Sequence, residues 1–170
     1  MEDKGLKGRR SDCPINFAVE VLGDKWSLLI LRDIIFGGKR TYGEFLDSDE
    51  SIATNILASR LEYLEKEGLI KREPDKDDKR KEFFFLTESG IALVPVLVEM
   101  TKWSAANAGW QSLEKGGTKA QKYFVESLFD PKKKAEAIRD IENSVRRGSH
   151  YFEGVTFNRN PRRSRKKKST

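Results

Sequence analysis

Thr54, Asn55, Ala58 and Ser59 fall at the spacing of one helical face, and each is small or polar. Such a face lets a helix backbone settle close to another molecule and presents hydrogen-bonding groups at its surface. In a DNA major groove, the Asn55 carboxamide can pair bidentately with adenine, and Thr54 offers both a hydroxyl and a methyl for thymine. Arg60 can reach a guanine edge or a phosphate. The same residues also suit the solvated side of an ordinary amphipathic helix, so the neighbouring elements have to decide between the two.

Other chemistry is short of material. The chain has one cysteine, Cys13, and one histidine, His150. It therefore forms no intramolecular disulfide and no cysteine-based zinc cluster, and it lacks the residues for most metal sites. Ser-His-Asp and Cys-His catalysis are disfavoured for the same reason. No metal, no cofactor and no enzyme activity are expected. Cys13 has its own chemistry. It precedes Pro14 at the start of a helix, where the positive helix end favours thiolate, with Arg9 and Arg10 close in sequence. A small packing residue is the alternative.

The elements that would position the polar face are legible in the order of the chain. Residues 14–23 carry apolar positions at one helical spacing, with Pro14 suited to the first turn and Gly23 to the end. Asp24 can cap a second helix, apolar on nearly all sides from Trp26 to Ile35 and stopped by Gly37-Gly38. A strand is the competing reading for so apolar a run, and the cap and the glycines favour helix. Thr41 and Glu44 match a capping box that opens a short helix. The candidate reading helix spans Ile52 to Glu67, with Ala53, Ile56, Leu57, Leu61 and Leu64 as its apolar stripe and Gly68 just past its end.

Beyond Gly68 the period changes. Leu69–Glu73 and Lys81–Leu86 are strand candidates joined by a charged turn, which together make a wing. Lys76, Lys79 and Arg80 can follow phosphates from the wing tip, Arg80 being the favoured contact, while Asp75, Asp77 and Asp78 form the turn. Arg40 and Thr41 complete the candidate DNA contacts. Thr87 can cap the next long helix, which Pro95 bends or starts. Two further helices are expected between Gly117 and Val145, separated by Pro131.

Charge supports DNA binding less than its total suggests. The net charge is +6, yet Val155–Thr170 carries seven basic residues and no acidic one, which leaves residues 1–154 at −1. The basic tail can raise non-specific DNA affinity with a steep salt dependence, or it can simply solubilise the terminus. No run is long and apolar enough for a membrane span, and no secretory signal is visible at the N-terminus, so a cytoplasmic, nucleoid-associated protein is expected.

Several motifs carry a family resemblance: Cys13-Pro14, Gly23-Asp24-Lys25-Trp26, Arg40 to Phe45, the run from Leu57 to Ile70, and Leu86-Thr87-Glu88-Ser89-Gly90. In this order they resemble the HxlR-type transcriptional regulators over about residues 12–112. The resemblance implies a homodimer, built from the first and last helices of the domain, that binds double-stranded DNA at a two-fold symmetric operator, more often as a repressor. It also implies that a cysteine placed like Cys13 serves some members as a sensor of electrophiles or oxidants. Two departures stand out. Ala53 lies where the family often has a hydroxyl at the helix start, which leaves Ser51 to cap, and the segment after Gly117 is longer than usual.

The expected fold class is mainly α (α+β), a winged helix-turn-helix with long dimerisation helices and a helical C-terminal extension. Its parts are a flexible N-terminus (1–11), the winged domain (12–115), the extension (117–158) and a disordered basic tail (159–170). Ile91, Val94, Leu97, Val98, Trp103, Ala106 and Trp110 supply more apolar surface than a domain of about 100 residues buries on itself. With Ile15 and Phe17 from the first helix, Val94, Leu97, Val98, Trp103 and Trp110 form the expected dimer interface, unless the extension covers them. The rival readings are a winged-helix module for protein or RNA, a thiol-dependent enzyme built around Cys13, which the single distant His150 disfavours, and a sequence-independent DNA-architectural protein.

Overall fold

The computed structural model, which describes residues 11–78, 80–107 and 117–152, is organised around a helix whose start one carboxylate sets. Asp24 caps α2 (Lys25–Ile35), accepting from the Trp26 and Ser27 amides at 3.0 and 3.1 Å while the Ser27 hydroxyl donates to the same carboxylate. Leu31, Ile34 and Ile35 are fully enclosed, so α2 is the central helix that its all-round apolarity predicts. Each such side chain contributes about 1.5–3 kcal/mol by leaving water. Helix α1 (Pro14–Leu22) precedes it and buries only Val21 and Leu22.

The Thr41–Glu44 capping box forms as expected and opens α3 (Tyr42–Leu46). Helix α4 (Thr54–Lys66) then lays Leu57, Leu61 and Leu64 on α2 and ends at Gly68, whose φ of +69° is the left-handed turn a glycine supplies without strain. The expectation that Ser51 caps α4 does not hold. Ala53 occupies the N-cap position without a side-chain bond, while Ser51 sits in a left-handed turn at φ +56° with its hydroxyl directed to the Asp49 carbonyl. The turn places it two residues too early to reach the helix amides.

Strands β1 (Ile70–Pro74) and β2 (Glu82–Leu86) form the antiparallel wing, pairing Ile70 with Leu86 and Pro74 with Glu82. Phe84 is buried edge-on to Phe45 and anchors the wing in the core. Thr87 caps α5 (Glu88–Ile91), a single turn, and α6 (Val94–Asn107) follows. Pro95 stands second in α6, so it marks a helix start; its missing N–H costs nothing there.

The extension packs into the same core. Helix α7 (Lys119–Ser127) opens with a Thr118–Gln121 capping box, and α8 (Pro131–Arg146) with Asp130 and Pro131. Phe124, Val125, Leu128, Ile141 and Val145 are buried among the residues of α2 and α6. Lys134 pairs with Glu99, and Arg146 pairs with Glu88 at 3.1 Å. This arrangement corrects the expected dimer surface. Val94, Leu97 and Val98 are 0%, 6% and 0% exposed within one chain, because α6 lies against α7 and α8. The alternative that the extension covers them is the one the structure takes.

Candidate nucleic-acid interface

Helix α4 presents the polar face that its spacing predicts. Thr54, Asn55 and Ser59 are exposed and Ala58 is half-buried, while Leu57, Leu61 and Leu64 point into the core. No side chain caps the helix start, so its first amides remain available beside Thr54 and Asn55 for an anion such as a DNA phosphate. Tyr42 holds that end in place. Its hydroxyl donates to the Thr54 carbonyl at 2.7 Å and ties α3 to α4 across the turn. Sequence reading missed this brace, because a tyrosine on a short helix gives no sign of its partner twelve residues later.

Arg60 lies elsewhere. It is half-buried, 3.6 Å from Asp24 and over the Tyr63 ring, so its charge is turned toward the α2 cap. Two other basic side chains reinforce the geometry around α4. Arg72 bridges Glu65 of α4 at 2.7 Å and Glu82 of β2 at 3.3 Å, bracing the wing against the helix. Lys39 and the Ser48 hydroxyl both donate to the buried Asp33 carboxylate, at 2.8 and 2.6 Å, which pins the α3–α4 connection to α2.

Arg40 departs most from expectation. Only 9% exposed, its guanidinium donates to the carbonyls of Ile34, Lys39 and Ser149 at 2.7, 2.9 and 2.8 Å. Burial pulls it below the ordinary guanidinium value. Its backbone is equally occupied: the amide donates to Glu44, and the carbonyl accepts from Phe84 of the wing. Arg40 is therefore corrected from DNA contact to a structural hub, because three carbonyls enclose its charge. Thr41 is half-buried, and its oxygen is used by the cap. Glu44 completes the box. Burial raises its carboxyl, but bonds from the Arg40 and Thr41 amides outweigh that and hold it below the usual carboxylate range.

At the wing tip, Lys76 is exposed and the Arg80 side chain is 91% exposed, while Lys79 lies outside the described residues. The aspartates build the turn. Asp75 accepts from the Asp78 and Asp77 amides, which hold its carboxyl below the usual range, and Asp78 accepts from Arg80 Nε at 3.0 Å. Lys76 and Arg80 thus present exposed cations at the wing tip, with Lys81 exposed beside them, and the polar groups of α4 lie on the helix that Arg72 braces to that wing.

Of the expected dimer residues, Ile15, Phe17 and Trp103 are exposed, at 74%, 44% and 66%, and Trp110 lies outside the described residues. Val19, Val96 and Met100 add exposed apolar surface on α1 and α6. Cys13 is exposed at the N-cap of α1. The expected basic tail, 159–170, is outside the described residues. Among those described, no helix is long and apolar enough to cross a membrane, and no group of three acidic, histidine or cysteine side chains could hold a metal.

Comparison with known proteins agrees with this geometry. The family described as HxlR-like helix-turn-helix matches residues 21–112. The uncharacterized HTH-type transcriptional regulator YybR of Bacillus subtilis is 32% identical over 106 residues, which span 62% of this chain and 84% of that protein. The corresponding regulator sll1512 of Synechocystis is 38% identical over 90 residues, 53% of this chain and 66% of its own. Among solved structures, PA1607 superposes with a TM-score of 0.53 at 37% identity, covering 58% of this chain and 67% of that one. The redox regulator HypR in its reduced form superposes with a TM-score of 0.52 at 30% identity, covering 61% of this chain and 99% of its own.

Proposed function

We infer that this chain, which belongs to the HxlR-like helix-turn-helix family and is a winged-helix transcriptional regulator, acts as a homodimer on a two-fold symmetric DNA operator. The observation that carries the reading is the exposed, uncapped start of α4, where Thr54 and Asn55 project beside free amides with Ser59 exposed further along the helix. Docked in a major groove, Asn55 and Thr54 read base edges and the amides take a phosphate, while Lys76 and Arg80 follow the backbone from the wing. The dimer contact is assigned to Ile15, Phe17 and Trp103, the exposed members of the set expected at first. A dimer seated over a promoter excludes polymerase, and on that ground we assign it repression.

Selection of bound duplexes from a randomised pool, followed by footprinting, tests this. An inverted repeat protected on both halves is expected. Enrichment without symmetry, or protection without sequence preference, would reject it.

A second reading concerns Cys13. It is exposed on the same helix as Ile15 and Phe17, and a structural relative is a redox regulator. With one cysteine per chain, a reversible switch through this thiol is a disulfide between the two subunits or a mixed disulfide with a small thiol. Electrophiles that modify Cys13 would be the effectors.

A further inference from the structure

We propose that the cavity between α2, α6 and α7 binds a small amphipathic organic anion, a carboxylate or sulfonate carried on an apolar body. The cavity measures about 590 Å³, within the range of about 300–1,000 Å³ that small-molecule sites occupy. Three helices present coherent faces to it. From α2 come Lys25, Leu28, Leu29 and Arg32, at the i, i+3, i+4 and i+7 positions of one stripe. Leu97, Thr101 and Ala105 line it from α6, and Phe124 and Val125 from α7. Phe36 and Phe152 add to the wall, each with its ring against that of Phe124, and Met100, Ser104 and Gln121 also line it.

The lining is apolar apart from a few groups, and its charge has one sign. Among the described residues, no carboxylate lines the cavity. Arg32 is neutralised by Asp33 and Glu50, which take its guanidinium donors at 2.5–3.0 Å, so it contributes its methylene stem to the wall. Lys25 is different. Its ammonium lies over the Trp26 ring at 4.8 Å and has no ion-pair partner among the described residues. Thr101 spends its donor on the Leu97 carbonyl, so it offers an acceptor only. An occupant therefore meets aromatic and aliphatic walls, the polar side chains of Ser104 and Gln121, and Lys25 as the one lining cation without an ion pair among the described residues, which suits an apolar body ending in an anion.

Fluorescence titration of the full chain with anilinonaphthalene sulfonate, which combines an arene with an anion, tests the site. One saturable site per chain is expected, with octanoate displacing the probe and octanol at least about tenfold weaker as competitor. Ala105→Trp places an indole in the cavity and weakens probe binding at least about tenfold. Lys25→Glu, at an exposed position outside the core, weakens octanoate about tenfold and leaves octanol unchanged. Thermal melts of both variants establish that they fold. Equal competition by octanoate and octanol, or unaltered probe binding in a folded Ala105→Trp or Lys25→Glu, overturns the proposal. So does loss of dimer mass in sedimentation of Ala105→Trp, which would make the groove a seat for a second copy of the chain.

Discussion

The Arg40 guanidinium donates to the Ser149 carbonyl at 2.8 Å, joining positions 109 residues apart. The same residue touches the end of α2, the Glu44 cap of α3, the wing through Phe84, and the extension. Arg40→Ala is expected to cost about 2–3 kcal/mol, since charged hydrogen bonds to buried carbonyls are lost. Urea unfolding measures it. Loss of DNA affinity at unchanged stability would return Arg40 to the set of phosphate contacts.

Glu44 makes α3 sensitive to acid. Its folded carboxyl titrates below the ordinary value of 4.5, because the amide bonds from Arg40 and Thr41 outweigh burial. The stability this contributes is complete above that value and is lost as pH falls through the folded one. Glu44→Gln keeps the capping box without the titration, so its stability should fall less than that of the wild type between neutral pH and about 3.5. Parallel pH profiles would show that the box carries no linkage.

On α4, Asn55→Ala should remove about 1–3 kcal/mol of discrimination between operator and mismatched duplex, with the melting temperature unchanged. Lys76→Ala or Arg80→Ala should instead weaken all duplexes alike and flatten the salt slope by about one. An Asn55 variant that loses affinity equally on every sequence would place base readout elsewhere.

Ile141 tests the unity of the core, since it is completely buried at the heart of α8. Truncation to alanine should cost about 2–5 kcal/mol, and the chain should still unfold in one transition. Two transitions, with the winged domain unaffected, would show the extension to be a separate unit.

Oxidation addresses Cys13. Diamide takes two electrons and two protons from a pair of Cys13 thiols, leaving an intersubunit S–S bond, which a non-reducing gel shows as a species of doubled mass. Cys13→Ser should lack both that species and any diamide-dependent change in DNA affinity. Identical responses in the two proteins would end the sensing role.

What the sequence discloses follows from the range of each signal. Asp24, Thr41 with Glu44, and Thr87 act on amides two to four residues away, so the starts of α2, α3 and α5 are legible from local order. The wing is equally local, with strand ends within about one residue of expectation. Val94, Leu97 and Val98 show the limit of such signals. Their apolarity announces burial, but whether a second copy or the chain's own α7 and α8 covers them is decided by packing at long range. Arg40, an arginine before a helix cap, reads as a surface cation until the carbonyls around it are seen. Ser51 misled for a geometric reason, since its left-handed turn aims the hydroxyl away from α4. At the candidate interface, the exposure of Thr54, Asn55 and Ser59 follows from their spacing, whereas the inward turn of Arg60 depends on Asp24, thirty-six residues earlier.

The return of Ser149 to Arg40, and of Tyr151 and Phe152 to the end of α2, sets an order on biosynthesis. A nascent chain that has emerged only through α6 already holds the α4 and wing residues proposed above to contact DNA. It still lacks the carbonyl that Arg40 needs and the helices that cover Val94, Leu97 and Val98. Contacts this distant in sequence form late and slowly. The described core therefore closes only when its last-made part arrives, and a ribosome stalled before α8 would hold a chain whose apolar flank at Val94, Leu97 and Val98 invites chaperones.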